Sequence, residues 1–189
     1  MENKPFRMFW GSSYDRGLFH LLKMWPQVLE KIPTAELHIC YGWNLFDKGY
    51  ANNPYMMNWK AEMVEMMKQK GITEYGRVSK DELNDITEKC DIWAYYCTFS
   101  ETNCITALNC QKLGVVPITM DRAGLMDTVY SGIKIEEDGD EPEAKAKYLE
   151  SLIYAYENPA WLSEQKQKAK AGIEKYYWDN VSVEWSKLF

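Results

Sequence analysis

The sequence predicts an α/β protein, a doubly wound parallel sheet of the Rossmann type filling one domain over residues 1–189. Three observations carry this. Short apolar runs bounded by turn residues alternate with helical patterns from end to end, which is the sequence form of repeated βαβ units. The run Asp91 to Cys97 is apolar enough for a strand buried in a parallel sheet. Between it and the next strand, Val115 to Thr119, a polar turn carrying Glu101 opens a helix that ends near Gly114. A βαβ unit with a polar turn at its strand end is where doubly wound sheets hold ligands.

Each element follows in order. Phe6 to Trp10 reads as a strand, residues 11–17 (G-S-S-Y-D-R-G) as a loop, and Leu18 to Ile32 as a helix interrupted at Pro26. Glu36 to Tyr41 is a second strand, ended by Gly42. Trp43 to Pro54 reads as irregular, and Tyr55 to Lys70 as a helix stopped by Gly71. Ile72 to Tyr75 is a short strand. Ser79 and Glu82 have the spacing of a capping box at the next helix start. After the central βαβ unit, Gly124 to Tyr130 reads as a short helix, Gly132 to Ile135 as a strand, and Asp138-Gly139-Asp140 as a turn. From Glu141 the chain is helical, with breaks near Pro159 and near Trp178-Asp179-Asn180.

Composition narrows the function classes. Of the residues, 46% are hydrophobic and 26% charged, ordinary for a globular domain. A net charge of −6 opposes general nucleic-acid binding, which needs a basic face. No apolar run reaches the length of a membrane span and Met1 to Arg7 has no apolar signal core. The expected location is the cytoplasm, with a peripheral membrane contact left open. Five cysteines without a C-x-x-C pair read as buried free thiols, and two histidines make a zinc site improbable. The acidic run Glu136 to Glu141 lacks EF-hand spacing and reads as a solvated turn. Eight Trp and thirteen Tyr are scattered along the chain and read as packing residues.

The chemistry concentrates at the Glu101 turn. A helix N-terminus offers free N–H groups and a positive dipole end, suited to phosphate. Glu101 would repel phosphate, so it calls for a neutral hydroxylated group beside one. That combination describes a nucleotide-sugar. Glu101 also suits a plain first-turn acid, favourable to the helix dipole.

The segment "FSETNCITALNCQKLGVVPIT" resembles the E-x7-E region of retaining glycosyltransferases of family 4. So do "GSSYDRGLFHLLKMWPQVLEKIPTAELHICYG" in the first third, "GRVSKDEL" before the central strand and "DRAGLMDTV" after it, in the expected order. The likeness is to the C-terminal, donor-binding half of the two-domain GT-B fold.

It implies a transferase that moves a sugar from a nucleoside-diphosphate donor to an acceptor glycan, lipid or protein with retained configuration. It implies no cofactor or metal, and an N-terminal GT-B domain in the same or another chain. The last stretch, 176–189, would contact that domain. Glu101 would be the catalytic residue, its carboxylate holding the donor sugar with Thr102, Asn103 and Cys104. Ser12, Ser13 and Arg16, with Cys104, Ile105 and Thr106 through their backbone N–H groups, would hold the diphosphate. Arg77, Val78 and Asn109 would meet the nucleobase and ribose, with Arg122 and Gly124 at the crevice edge.

Asn109 stands where the motif has its second Glu; it keeps one acceptor without the charge, a loss on the order of 1–2 kcal/mol. This departure leaves open a non-catalytic donor-binding module that needs a partner chain. A doubly wound epimerase or dehydrogenase is a third class. It would want G-x-G-x-x-G after the first strand, which is absent.

Overall fold

Six strands lie side by side, all parallel, in the order β3-β2-β1-β4-β5-β6. They are β1 (Phe6–Trp10), β2 (Ala35–Ile39), β3 (Ile72–Glu74), β4 (Ile92–Tyr95), β5 (Val116–Met120) and β6 (Ile133–Ile135). The computed structural model describes residues 4–136, 139 and 141–187. Every residue of β4 and β5 is buried, as an all-parallel sheet covered on both faces requires. The expected doubly wound architecture is therefore the one observed.

The helices are α1 (Leu18–Lys31), α2 (Asn44–Tyr50), α3 (Pro54–Met66), α4 (Lys80–Glu88) and α5 (Ile105–Lys112). Those that follow are α6 (Leu125–Thr128), α7 (Pro142–Glu157), α8 (Pro159–Gly172) and α9 (Trp178–Ser186). Helix α1 packs against α3 and α7, whereas α5 packs against α6 and α8. Right-handed crossovers that run outward from β1 and β4 in opposite directions put α1 and α5 on opposite faces of the sheet. The loops after β1 and β4 thus diverge and leave a crevice at their C-terminal ends, the topological switch point.

Three local expectations need correction. Helix α1 runs unbroken through Pro26. Proline has no N–H for the Leu22 carbonyl, and Gln69 Nε2 donates to that oxygen instead, at 2.9 Å. Trp25 Nε1 adds a bond to the Lys70 carbonyl at 2.8 Å, so this face of the helix is tied to the turn after α3. That turn also ends α3 at Met66, ahead of the expected stop at Gly71. Second, the segment expected to be irregular contains α2. Its Phe46 sits 5.3 Å from Trp43 and 5.4 Å from Trp59, ring centroid to centroid, and Tyr50, one turn on, is tilted against Phe46 at 4.9 Å. Aromatic packing at helical spacing overrides the weak local propensity. Third, Trp178 begins α9 instead of breaking a helix. The break lies at Ile173–Tyr177, where a 3₁₀ turn, Glu174–Tyr176, is held by a hydrogen bond between the Tyr176 and Tyr130 hydroxyls at 2.7 Å.

The capping residue is as expected: Ser79 Oγ accepts from the Glu82 N–H at 3.2 Å. All five cysteines are buried free thiols. Asp138 and Asp140 of the expected turn, and Phe189, lie outside the described residues. Trp178 is 81% and Trp185 64% exposed on α9.

Candidate functional site

The β1–α1 loop begins at Gly11 and ends at Gly17. Gly17 has φ +119°, and a Cβ there would lie 2.0 Å from the Tyr96 carbonyl oxygen. Only glycine lets this loop lie against the end of β4. The Thr98 N–H completes the junction by donating to the Arg16 carbonyl at 3.0 Å. These backbone contacts deliver the Arg16 side chain to Glu101, 85 residues on, with Nη1 donating to Oε1 at 2.7 Å. The Arg16 guanidinium also lies over the Phe99 ring, 4.4 Å from its centroid.

Glu101 is buried, its side chain 8% exposed, while that of Arg16 is 33% exposed. Tyr95 Oη donates to the same Oε1 at 2.6 Å, and Ser12 Oγ lies 3.2 Å from Tyr95 Oη. Among the described residues Oε2 carries no hydrogen bond. Partial burial acts to lower the Arg16 pKa, and the Glu101 carboxylate outweighs it, so the guanidinium is held above its ordinary value.

Beyond Glu101 the chain turns into α5. Thr102 and Asn103 are exposed, Cys104 is buried at the N-cap, and Ile105 is 67% exposed. Among the described residues the N–H groups of Thr102 to Thr106 donate to no backbone carbonyl, as expected at the open end of a helix. Thr106 Oγ1 reaches back to the Gly11 carbonyl at 3.5 Å, so α5 and the β1 loop meet. Burial pushes the Cys104 thiol up to about 12, with the Ala107 N–H acting the other way, which makes it inert as a nucleophile.

Gly11 also borders a cavity of about 200 Å³ lined by Cys40, Tyr41, Arg77, Val78 and Leu83. Its walls are fixed by Tyr14, whose hydroxyl donates to Glu74 Oε1 at 2.5 Å and accepts from the Gly42 N–H at 2.9 Å. Glu74 Oε1 in turn accepts from the Gly76 N–H at 2.9 Å, next to Arg77.

The structure thus joins Arg16 directly to Glu101, brings Ser12 to Glu101 through Tyr95 and Thr106 to the Gly11 carbonyl, and sets Arg77 and Val78 across Gly11 from them. Ser13 is half-buried and lends its carbonyl to the Arg16 N–H at 3.2 Å. Asn109 is exposed one helical turn beyond Ile105 and Thr106, on the same side of α5. Gly124 closes the edge by donating to the Glu101 carbonyl at 2.7 Å. The sequence reading does not single out Tyr95, Phe99, Tyr14 or Glu74. Among the described residues no three His, Cys, Asp or Glu side chains are grouped to hold a metal ion.

The model of the family described as glycosyl transferases group 1 matches residues 3–169. The chain belongs to that family. A comparison with curated proteins gives no match. Among solved structures, the GtfA/B complex aligns at a TM-score of 0.76 and 19% identity, over 98% of this chain and 35% of the other. The pneumococcal O-GlcNAc transferase GtfA, in complex with UDP and GlcNAc, aligns at 0.72 and 17%, over 98% and 35%. Anabaena Alr3699/HepE in complex with UDP-glucose aligns at 0.70 and 12%, over 97% and 47%. At these identities the likeness is one of fold, the Rossmann-like fold of GT-B glycosyltransferase neighbours. This group 1 chain spans between 35% and 47% of the length of these three solved chains.

Proposed function

We propose that this chain is the donor-binding half of a retaining glycosyltransferase of family 4, with its acceptor supplied through an N-terminal GT-B domain. The observation that carries the reading is the meeting of Arg16 and Glu101 in the switch-point crevice, beside a run of helix-start N–H groups that, among the described residues, donate to no backbone carbonyl. A cation and amides on one side of a carboxylate suit a diphosphate joined to a polyol. The solved neighbours with UDP and UDP-glucose point to the same ligand class.

In this reading the diphosphate lies between Arg16 and the N–H groups of Thr102 to Thr106. The base enters the cavity beside Gly11, Arg77 and Val78, and Asn109 accepts from the ribose. Transfer breaks the bond from the anomeric carbon to the diphosphate oxygen, which takes the electron pair, and forms a bond to the acceptor oxygen on the same face, the acceptor's hydroxyl proton passing to the departing diphosphate oxygen. Arg16 and the amides stabilise the charge that gathers on the leaving group. The Glu101 carboxylate fixes the sugar hydroxyls and stabilises the positive charge developing at the anomeric carbon. The exposed Trp178 and Trp185 on α9 supply the contact to the second domain.

Asn109 favours a second reading, a donor-binding module that does not itself transfer. Calorimetric titration with UDP-, GDP- and ADP-sugars tests the shared part. Arg16→Ala is expected to weaken a diphosphate far more than the free nucleoside; equal weakening of both removes Arg16 from the phosphate site. Release of free sugar or its transfer to an acceptor, followed with radiolabelled donor, separates the transferase from the module.

A further inference from the structure

The carboxylate of Glu101 is held from below by Tyr95, which has no ligand role in the reading above, and behind it by Ser12. Tyr95 has a single hydroxyl proton. Since it is given to Glu101 Oε1 at 2.6 Å, the oxygen is left to accept, and Ser12 Oγ at 3.2 Å becomes the donor to it. The direction Ser12 to Tyr95 to Glu101 follows. The Tyr95 ring is fully buried, stacked on Trp93 at 4.6 Å and 20° and tilted against Trp10 at 4.9 Å. The Trp10 indole N–H donates to the Ser12 carbonyl at 2.8 Å, which closes the block on itself.

Both donors to the carboxylate, Tyr95 and Arg16, use Oε1. They differ in kind. The Tyr95 hydroxyl sits in the sheet on a ring with no room to move, whereas Arg16 is one-third exposed and lies on the loop that meets the diphosphate. A buried carboxylate needs a partner that stays when a ligand competes for the other.

We propose that Tyr95 is a positioning residue for donor recognition: oriented by Ser12, it anchors Oε1 of Glu101 so that Oε2 is presented to the hydroxyls of the donor sugar. This rests on the donor-site reading above. It also gives Ser12 a role through Tyr95 in place of a direct bond to phosphate. Groups that fix a contacting side chain in this way set the geometry on which its interaction depends.

The test compares sugar-dependent with sugar-independent binding. Wild type, Tyr95→Phe and Ser12→Ala are titrated calorimetrically with UDP, GDP and ADP and with UDP-glucose, UDP-GlcNAc, GDP-mannose and ADP-glucose. Phe keeps the stacking on Trp93 and Trp10 and removes only the hydroxyl. For the nucleotide that wild type accepts, Tyr95→Phe is expected to bind the free diphosphate within about twofold of wild type, and its sugar-to-diphosphate affinity ratio to fall by about fivefold or more. Ser12→Ala is expected to move the same ratio in the same direction by less, and it carries the test if Tyr95→Phe does not fold by circular dichroism. Equal loss of both ligands in the folded variants makes Tyr95 merely structural and overturns the proposal, as does an unchanged ratio. Wild type that binds none of these nucleotides sinks the donor-site reading itself, and the positioning role with it.

Discussion

Gly124 and Glu101 are joined backbone to backbone: the Gly124 N–H donates to the Glu101 carbonyl at 2.7 Å, and a Cβ on Gly124 would lie 2.6 Å from the Thr102 carbonyl oxygen and 2.8 Å from that of Glu101. The loop after β5 therefore sets the height of the turn that bears the carboxylate. Gly124→Ala must push this turn away, since backbone atoms cannot yield as a side-chain tip can. Overpacking of this kind costs about 1–3 kcal/mol. Donor affinity is expected to fall by about tenfold or more, with a smaller loss of thermal midpoint than core truncation produces. Calorimetry beside a melting curve checks both.

Gln69→Ala is expected to destabilise the domain without touching the site. It strips the Leu22 carbonyl of the donor that replaces the N–H missing at Pro26. Leaving that oxygen unpaired costs roughly 1–3 kcal/mol. Pro26→Ala should recover much of the loss in the double variant, because alanine restores the helix N–H. Urea unfolding of the four proteins measures the coupling.

Asn109→Glu is expected to tighten donor binding by about fivefold, on the order of 1 kcal/mol. The side chain is exposed one turn along α5 from Ile105 and Thr106, so a longer charged acceptor has open space. The gain should vanish with a 2′,3′-dideoxy donor. Unchanged or weaker binding by the folded variant takes Asn109 away from the ribose.

His38 makes stability depend on pH. Burial holds its pKa below the ordinary 6.5, Glu36 pulls the other way, and Arg7 acts with burial. The unfolded chain therefore binds a proton that the folded one resists. Stability rises with pH across the interval between the folded value and 6.5, and is lost as pH falls through it. A His38→Gln variant is expected to lose less stability than wild type as pH falls through that interval, read from unfolding midpoints.

The thiols should be silent in the native fold. Burial raises the pKa of Cys40, Cys90 and Cys104 to about 12, and those of Cys97 and Cys110 also stand above the ordinary value. A thiol-reactive dye at mildly alkaline pH is expected to label none in native protein and all five in denaturant. Rapid native labelling at Cys104 would contradict its burial against α5.

Glu101 is legible in the sequence because an acid between an apolar strand and a helix start is out of place in a core and fits a strand-end site. Arg16 is legible only through the family resemblance, which puts a basic residue just before the loop glycine, here Gly17. Tyr95 is not. In the run W-A-Y-Y it is one apolar strand residue among four, and the contact of its hydroxyl with Glu101 depends on how the chain turns through Cys97 to Ser100. Pro26 misleads for a related reason: a proline predicts a helix break locally, and the group that offsets it lies 47 residues from the carbonyl it serves. Helix α2 escapes notice because its packing partner, Trp59, belongs to the next helix. What local pattern misses in each case is a partner that lies outside the element itself.

The strand order has a kinetic consequence. Since β1 borders β4 and not β3, the two walls of the crevice come from segments separated by the whole β2–β3 excursion, and Arg16 meets Glu101 across 85 residues. Closing so long an interval carries an entropic cost that short hairpins avoid, and contacts of this span form slowly. A nascent chain that has completed only its first three strands carries Arg16 but neither Glu101 nor the Tyr96 and Thr98 backbone against which its loop lies. The Arg16–Glu101 pair is thus acquired in a single late event, when β4 slots in beside β1.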